Sequence, residues 1–161
     1  MLTNALRTNA IFPVSCVIAA LICAQRGYGF WFGFFLLPAI PYQALRLALV
    51  WKQPVQRTGC LAALVVLAIA SLIVYGAHKY HAAQARNDAD QLIVLIEAYR
   101  VKTGDYPPTL DVIATVPHDA LSYYRDKTPP FVPFAYYRDT FISFDKWIYD
   151  FKTKKWEFRP D

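Results

Sequence analysis

The sequence predicts an α+β membrane protein in which two or three N-terminal transmembrane helices lead into a small outer domain. The last of these helices is expected to continue as a long helix packed on a small antiparallel sheet. Three observations predict this. Aliphatic runs crowd residues 10–78, while most of the charge follows residue 79. The last apolar run passes without a proline into a stretch of helical periodicity. The C-terminal part then changes to period two and is dense in Tyr, Phe and Trp, which suit a half-buried pleated surface. The organisation implied is a transmembrane region over residues 1–78, with spans at about 10–25, 29–50 and 59–78, and an extracytoplasmic domain over residues 79–161.

Of the 161 residues, 56% are hydrophobic and 18% charged; soluble domains carry about 25% charged residues. The net charge of +5 does not point to nucleic acid. Several of the basic residues flank apolar segments, where membrane topology accounts for them, and neither a basic face nor a recognition motif is present. Cys16, Cys23 and Cys60 all lie in or beside apolar segments and read as small packing residues. The polar half has no cysteine, so its core must hold without disulfides.

The clearest span is CLAALVVLAIASLIVYGA, Cys60 to Ala77, eighteen residues without a charge. At 1.5 Å per residue it covers about 27 Å, close to the hydrocarbon thickness of a bilayer. The segment from Gly29 to Trp51 is long enough to cross but carries Pro38, Pro41 and Arg46. Prolines are tolerated in a membrane helix where neighbours satisfy the freed carbonyls, and Arg46 lies near one end, from which it can snorkel. The first segment, Ala10 to Ala24, is short, beginning beside Pro13. It reads as a short span, a re-entrant stretch or a cleaved signal peptide, the last suggested by Arg7 and the loosely matching ICAQ. Lys52 and Arg57, with Arg46 close by, outnumber the single Arg26 of the preceding loop. The positive-inside rule then places the N-terminus in the cytoplasm and everything after Ala77 outside, in the periplasm if the membrane is a bacterial inner membrane.

Beyond the span, Ala85, Ala89, Leu92, Ile96 and Tyr99 recur at three and four residues, with Leu95 beside them, while charged residues fill other faces. Gly104 ends the helix in the manner of a C′ glycine, Asp105-Tyr106-Pro107-Pro108 makes a turn, and Thr109 stands as N-cap of a short helix holding Leu110, Val112 and Ile113. Two stretches, RTGCLAALVVLAIASLIVYG and ADQLIVLIEAYRVKTGDYPPTLDVI, resemble type IV pilins and, more closely, type II secretion pseudopilins. Tyr99, Gly104, Tyr106, Pro107, Thr109 and Leu110 fall on that family's turn pattern. The resemblance covers residues 58 to about 116, and is looser as far as 158. It implies a membrane helix running into a soluble helix packed on a sheet, presented for protein–protein interaction near a secretion or pilus apparatus. The chain departs from the family at its processing site: Gly59 is followed by Cys60 instead of phenylalanine, residues 60–77 hold no acid, and two apolar segments come first. Cleavage at Gly59 is therefore not expected.

After Pro117, the runs LSYYRD, PFAYYRDTFISFD and KWIYDFKTKKWEF predict three or four short antiparallel strands, with a hairpin turn at Thr153-Lys154. They are expected to pack on Leu92, Leu95, Ile96 and Tyr99. The aromatics Tyr123, Tyr124, Tyr136, Tyr137, Trp147, Tyr149 and Trp156 are the candidate interaction surface, since Tyr and Trp are favoured anchors, although each is equally at home filling a small core. His78 and His81 have helical spacing but no third ligand at metal-binding spacing, and His118 follows a proline in a loop. Asp126, Asp139, Asp145 and Asp150 belong to turns or strand ends and lack the order of a calcium loop. No phosphate loop or nucleophile elbow is present, so the sequence implies no catalytic residue, metal or cofactor. Beside the pseudopilin-like reading stand two others: a membrane-bound immunity protein neutralising an envelope-acting toxin, and a transport component using Arg46 and a proline-broken second helix. The partners implied are the lipid bilayer and an unidentified protein, either a secretion or pilus component or a toxin.

Overall fold

The computed structural model of the chain describes residues 2–113, 121–125 and 133–160. His118 and Asp126 lie outside the described residues. The chain forms two compact units, Met1–Lys79 and Tyr80–Asp161, and is α+β in class.

The first unit contains helices α1 (Leu2–Cys23) and α2 (Gly29–Leu49) and the N-terminal part of α3 (Pro54–Thr103). Gly27, with φ of 81°, supplies the left-handed residue between α1 and α2 that a side chain would resist. Both early helices continue across their prolines: α1 contains Pro13, and α2 contains Pro38 and Pro41. The expectation of a broken second helix is thus corrected. Each proline removes a single N–H, here the donors for the carbonyls of Phe34 and Leu37, and the flanking bonds keep the helix continuous.

Cys16, Ala20 and Cys23 of α1, Phe32 and Ala39 of α2, and Leu67, Ala70 and Val74 of α3 form one buried cluster. The small residues among them allow helices to approach closely. The outward faces remain apolar: Leu21, Leu37, Leu49 and Leu72 are each about two-thirds or more exposed. By length and composition α2 and α3 are apolar enough to cross a membrane, whereas the apolar part of α1, Ile11–Cys23, is shorter. Among the described residues of this unit two polar side chains are buried. The His78 ring donates from Nε2 to the Cys23 carbonyl at 2.7 Å, meeting one of the acceptors left open where α1 ends. Gln43 is fully buried, with no hydrogen-bond partner for either amide atom among the described residues.

In the second unit a four-stranded antiparallel meander, β1 (Ser122–Arg125), β2 (Pro133–Arg138), β3 (Lys146–Asp150) and β4 (Lys155–Arg159), lies against α3. Register aligns Tyr123, Ala135, Tyr149 and Trp156 across all four strands on the inner face. The core joins these to Ala85, Ala89, Leu92, Ile93 and Ile96 of α3. Leu95, expected in this core, is 41% exposed, and Ile93 is buried in its stead. At about 100° per residue, Ile93 lies roughly 60° from the centre of the stripe set by Ala85, Ala89 and Ile96, and Leu95 roughly 100°.

Two loops are organised by aspartates. Within the aromatic run PFAYYRDTFISFD the strand stops at Arg138, because the Asp139 carboxylate accepts the backbone N–H groups of Phe141 at 2.8 Å and Ile142 at 3.1 Å. These bonds turn the chain away from the ladder. The β3–β4 turn is closed by Asp150, which accepts from the Lys152 N–H and the Thr153 hydroxyl, both at 2.8 Å. Those bonds, the Lys152 N–H foremost, hold the Asp150 carboxyl below its usual range. Lys154 completes the turn with φ of 56°.

Candidate interaction surface

The turn residues gather where α3 ends. Gly104 takes φ of +83° and its N–H reaches the Arg100 carbonyl at 2.8 Å. A Cβ there would meet no atom within 4 Å, so glycine is required by the backbone alone. The Thr103 hydroxyl returns to the Tyr99 carbonyl at 2.8 Å. Tyr106 lies under the Arg100 guanidinium, accepts a hydrogen bond from it at 2.7 Å, and meets Phe151 edge-on at 5.2 Å. Pro107 is fully buried, and its carbonyl accepts the Tyr123 hydroxyl at 2.8 Å. Burial pushes the Tyr123 phenol up to about 12. Arg125 of β1 pairs with Asp105 and donates to the Tyr106 carbonyl at 2.6 Å. The turn is thereby fastened to the first strand of the sheet.

Leu110 packs on the core, but the helix it opens is a single 3-10 turn, Leu110–Val112. Thr109 occupies the N-cap position with extended backbone, yet its side chain caps nothing. A turn closed by one bond, Ile113 N–H to the Leu110 carbonyl, offers few free amides to a cap.

The seven candidate aromatics divide between two faces of the sheet. Tyr137 and Tyr149 are 8% exposed and meet Trp156 edge-on at 5.0 and 5.2 Å. Tyr123, Trp147 and Trp156 are partly buried against the same core. Trp156 also donates from Nε1 to Asp90 at 2.7 Å and lies beneath the Arg86 guanidinium. These five therefore hold the sheet to α3. Burial raises the phenol pKa of both Tyr137 and Tyr149.

The other two, Tyr124 and Tyr136, belong to the outer face, where Tyr124 is 59% exposed. Register places Phe134 directly opposite Tyr124, and Ile148 opposite Tyr136. Phe134 is 43% exposed and touches Tyr136, with ring centroids 5.7 Å apart. Sequence reasoning passed over Phe134 and Ile148. The signal was available in strand parity: in PFAYYR, residues 134 and 136 share one face while 135 and 137 share the other. Beside this face a cleft of about 490 Å³ is lined by Pro108, Thr109, Leu121, Tyr123 and Tyr124 among others. Such a surface offers aromatic contact area and phenol hydroxyls.

Several acids of the second unit are engaged in structure. Asp90 takes an ion pair from Arg86 at 3.0 Å as well as the Trp156 bond, Glu97 faces Arg100 at 3.9 Å, and Asp139 and Asp150 build loops. Among the described residues no group of three His, Cys, Asp or Glu side chains is placed to hold a metal ion. No protein family, no curated protein and no solved structure matches this chain.

Proposed function

We propose that this chain is a membrane-anchored, non-enzymatic protein that presents residues 80–161 outside the cytoplasm as a pseudopilin-like interaction domain. The observation that carries the reading is the division of labour across the sheet. Five aromatics are spent on the core, and Tyr124, Phe134 and Tyr136 are left on an outer face that takes no part in the core among the described residues. Exposed aromatics grouped on one rigid face are anchors for another protein. Anchoring is supported by the apolar exteriors of α2 and α3. The orientation is supported by Arg46, Lys52 and Arg57 on the cytoplasmic side of the expected topology.

The test is crosslinking of the full chain in native membranes, followed by mass spectrometry, with Tyr124→Asp and Phe134→Asp variants in parallel. The expected result is a protein recovered with the unaltered chain and lost with both variants. Equal recovery with the variants would overturn the outer face as the binding surface. A phosphatase fusion after Asp161 that is inactive would overturn the orientation.

A further inference from the structure

One face of α3 in the second unit has no role in the core or in the surface above. Gln84, Asn87, Gln91, Val94, Ala98 and Val101 follow one another at spacings of three and four residues, and all six are exposed. They lie opposite the stripe that packs on the sheet. None is charged, although Arg86, Asp88, Asp90, Glu97, Arg100 and Lys102 stand on the same helical stretch. Val94 is 67% exposed and Val101 86%. An ordinary solvated helix face carries charge, and this one carries amides and aliphatics at heptad spacing.

We propose that this seam packs against the same seam of a second copy of the chain, in a parallel two-stranded arrangement. The composition selects a second copy over a different helix. A two-fold interface sets each seam residue against itself. A charge would then face its own like, whereas the amides of Gln84, Asn87 and Gln91 each carry donor and acceptor and can pair with their own copies. Flanking positions agree with a parallel register. Residues five apart meet across such a seam, and the one such pair with two charges, Glu97 with Lys102, is of opposite sign. Over two and a half heptads the drift of a straight helix from a repeat of seven stays near 50°, small enough for the seam to remain in contact. The parallel direction rests on the membrane anchoring proposed above, since two chains held in one bilayer leave it the same way; the contact itself does not.

Single cysteines introduced at Gln84, Gln91, Val94, Ala98 and Val101 test this in the full chain in its membrane, with Arg86→Cys and Arg100→Cys as off-seam controls. The unaltered chain, whose Cys16, Cys23 and Cys60 are buried, sets the baseline. Mild oxidation is expected to raise disulfide-linked dimer several-fold at the five seam positions and to leave the two controls near baseline. Adding Val94→Glu and Val101→Glu to Gln91→Cys should return its crosslinking to baseline. No rise along the seam, an equal rise at the controls, or crosslinking that survives the two glutamates would each overturn the proposal. Carbonate extraction of the same membranes reads anchoring separately, so loss of the anchor is distinguishable from loss of the contact.

Discussion

Residues 54–79 and 80–103 belong to the same helix, α3, yet they expose opposite chemistry. The first stretch shows Val65, Ile69, Leu72 and Ile73 at half exposure or more, and it buries Leu67, Ala70 and Val74. The second buries Ala85, Ala89, Leu92 and Ile96 against aromatic strands and shows mainly polar and charged residues elsewhere. The acids sharpen the contrast: all twelve in the chain follow residue 79. Local backbone preference is nearly the same in both stretches, so the difference lies in what surrounds each. An apolar exterior suits lipid, and a one-sided stripe suits a folded partner in water.

The largest effect expected from probing this contrast comes from Tyr149→Ala. Tyr149 contacts both Trp156 and Phe151, and its removal should destabilise the second unit by about 3–5 kcal/mol, as for other buried aromatic truncations. Urea unfolding of the detergent-solubilised chain checks it. The near-ultraviolet dichroism of the aromatic sheet should be lost early while helical signal from residues 1–79 persists. Loss of both in one transition would break the comparison, because the units would then unfold as one.

Gly104→Val should follow, at about 1–3 kcal/mol, the cost of forcing a β-branched side chain into a left-handed backbone. Because no atom lies within 4 Å of the added Cβ, the penalty is conformational, and Gly104→Asn should recover much of it. The same unfolding curves measure both. A Val variant as neutral as Lys102→Ala, within about 0.5 kcal/mol, would mean that the second stretch does not depend on ending there.

The smallest effect concerns pH. Tyr123 donates to the Pro107 carbonyl, and burial pushes its phenol up to about 12. A folded pKa above the unfolded value of about 10 means that the folded state keeps its proton longer. The stability this contributes is complete below pH 10 and lost as pH rises towards 12. Tyr123→Phe should cost about 0.5–1.5 kcal/mol at neutral pH through the lost hydrogen bond, and it should flatten the alkaline decline. Tyr106, Tyr137 and Tyr149 are raised as well, so some decline should remain. Urea midpoints across that pH window read the slope. An unchanged slope would remove Tyr123 from the account.

What depends on neighbours along the chain is legible before folding is considered. Apolar run length, the absence of proline between Pro54 and Gly104, the glycine at 104 and the parity of the aromatic strands are local quantities, and α3, its end and the β3–β4 hairpin could be read from them. Even there, the aromatic run continues through residues 139–145 although the strand does not, since an aspartate that captures two backbone amides overrides β propensity without altering the apolar pattern. Tertiary structure alone decided which side of each element is covered. It buried Ile93 in preference to Leu95, turned Tyr137 and Tyr149 inward and left Tyr124 and Phe134 outside, and set Tyr123 beneath the Pro107 carbonyl. Period two says that strand residues alternate, and period 3.6 says that a helix has a stripe. Neither says which face meets a partner, because burial is a property of two surfaces and a sequence pattern describes only one.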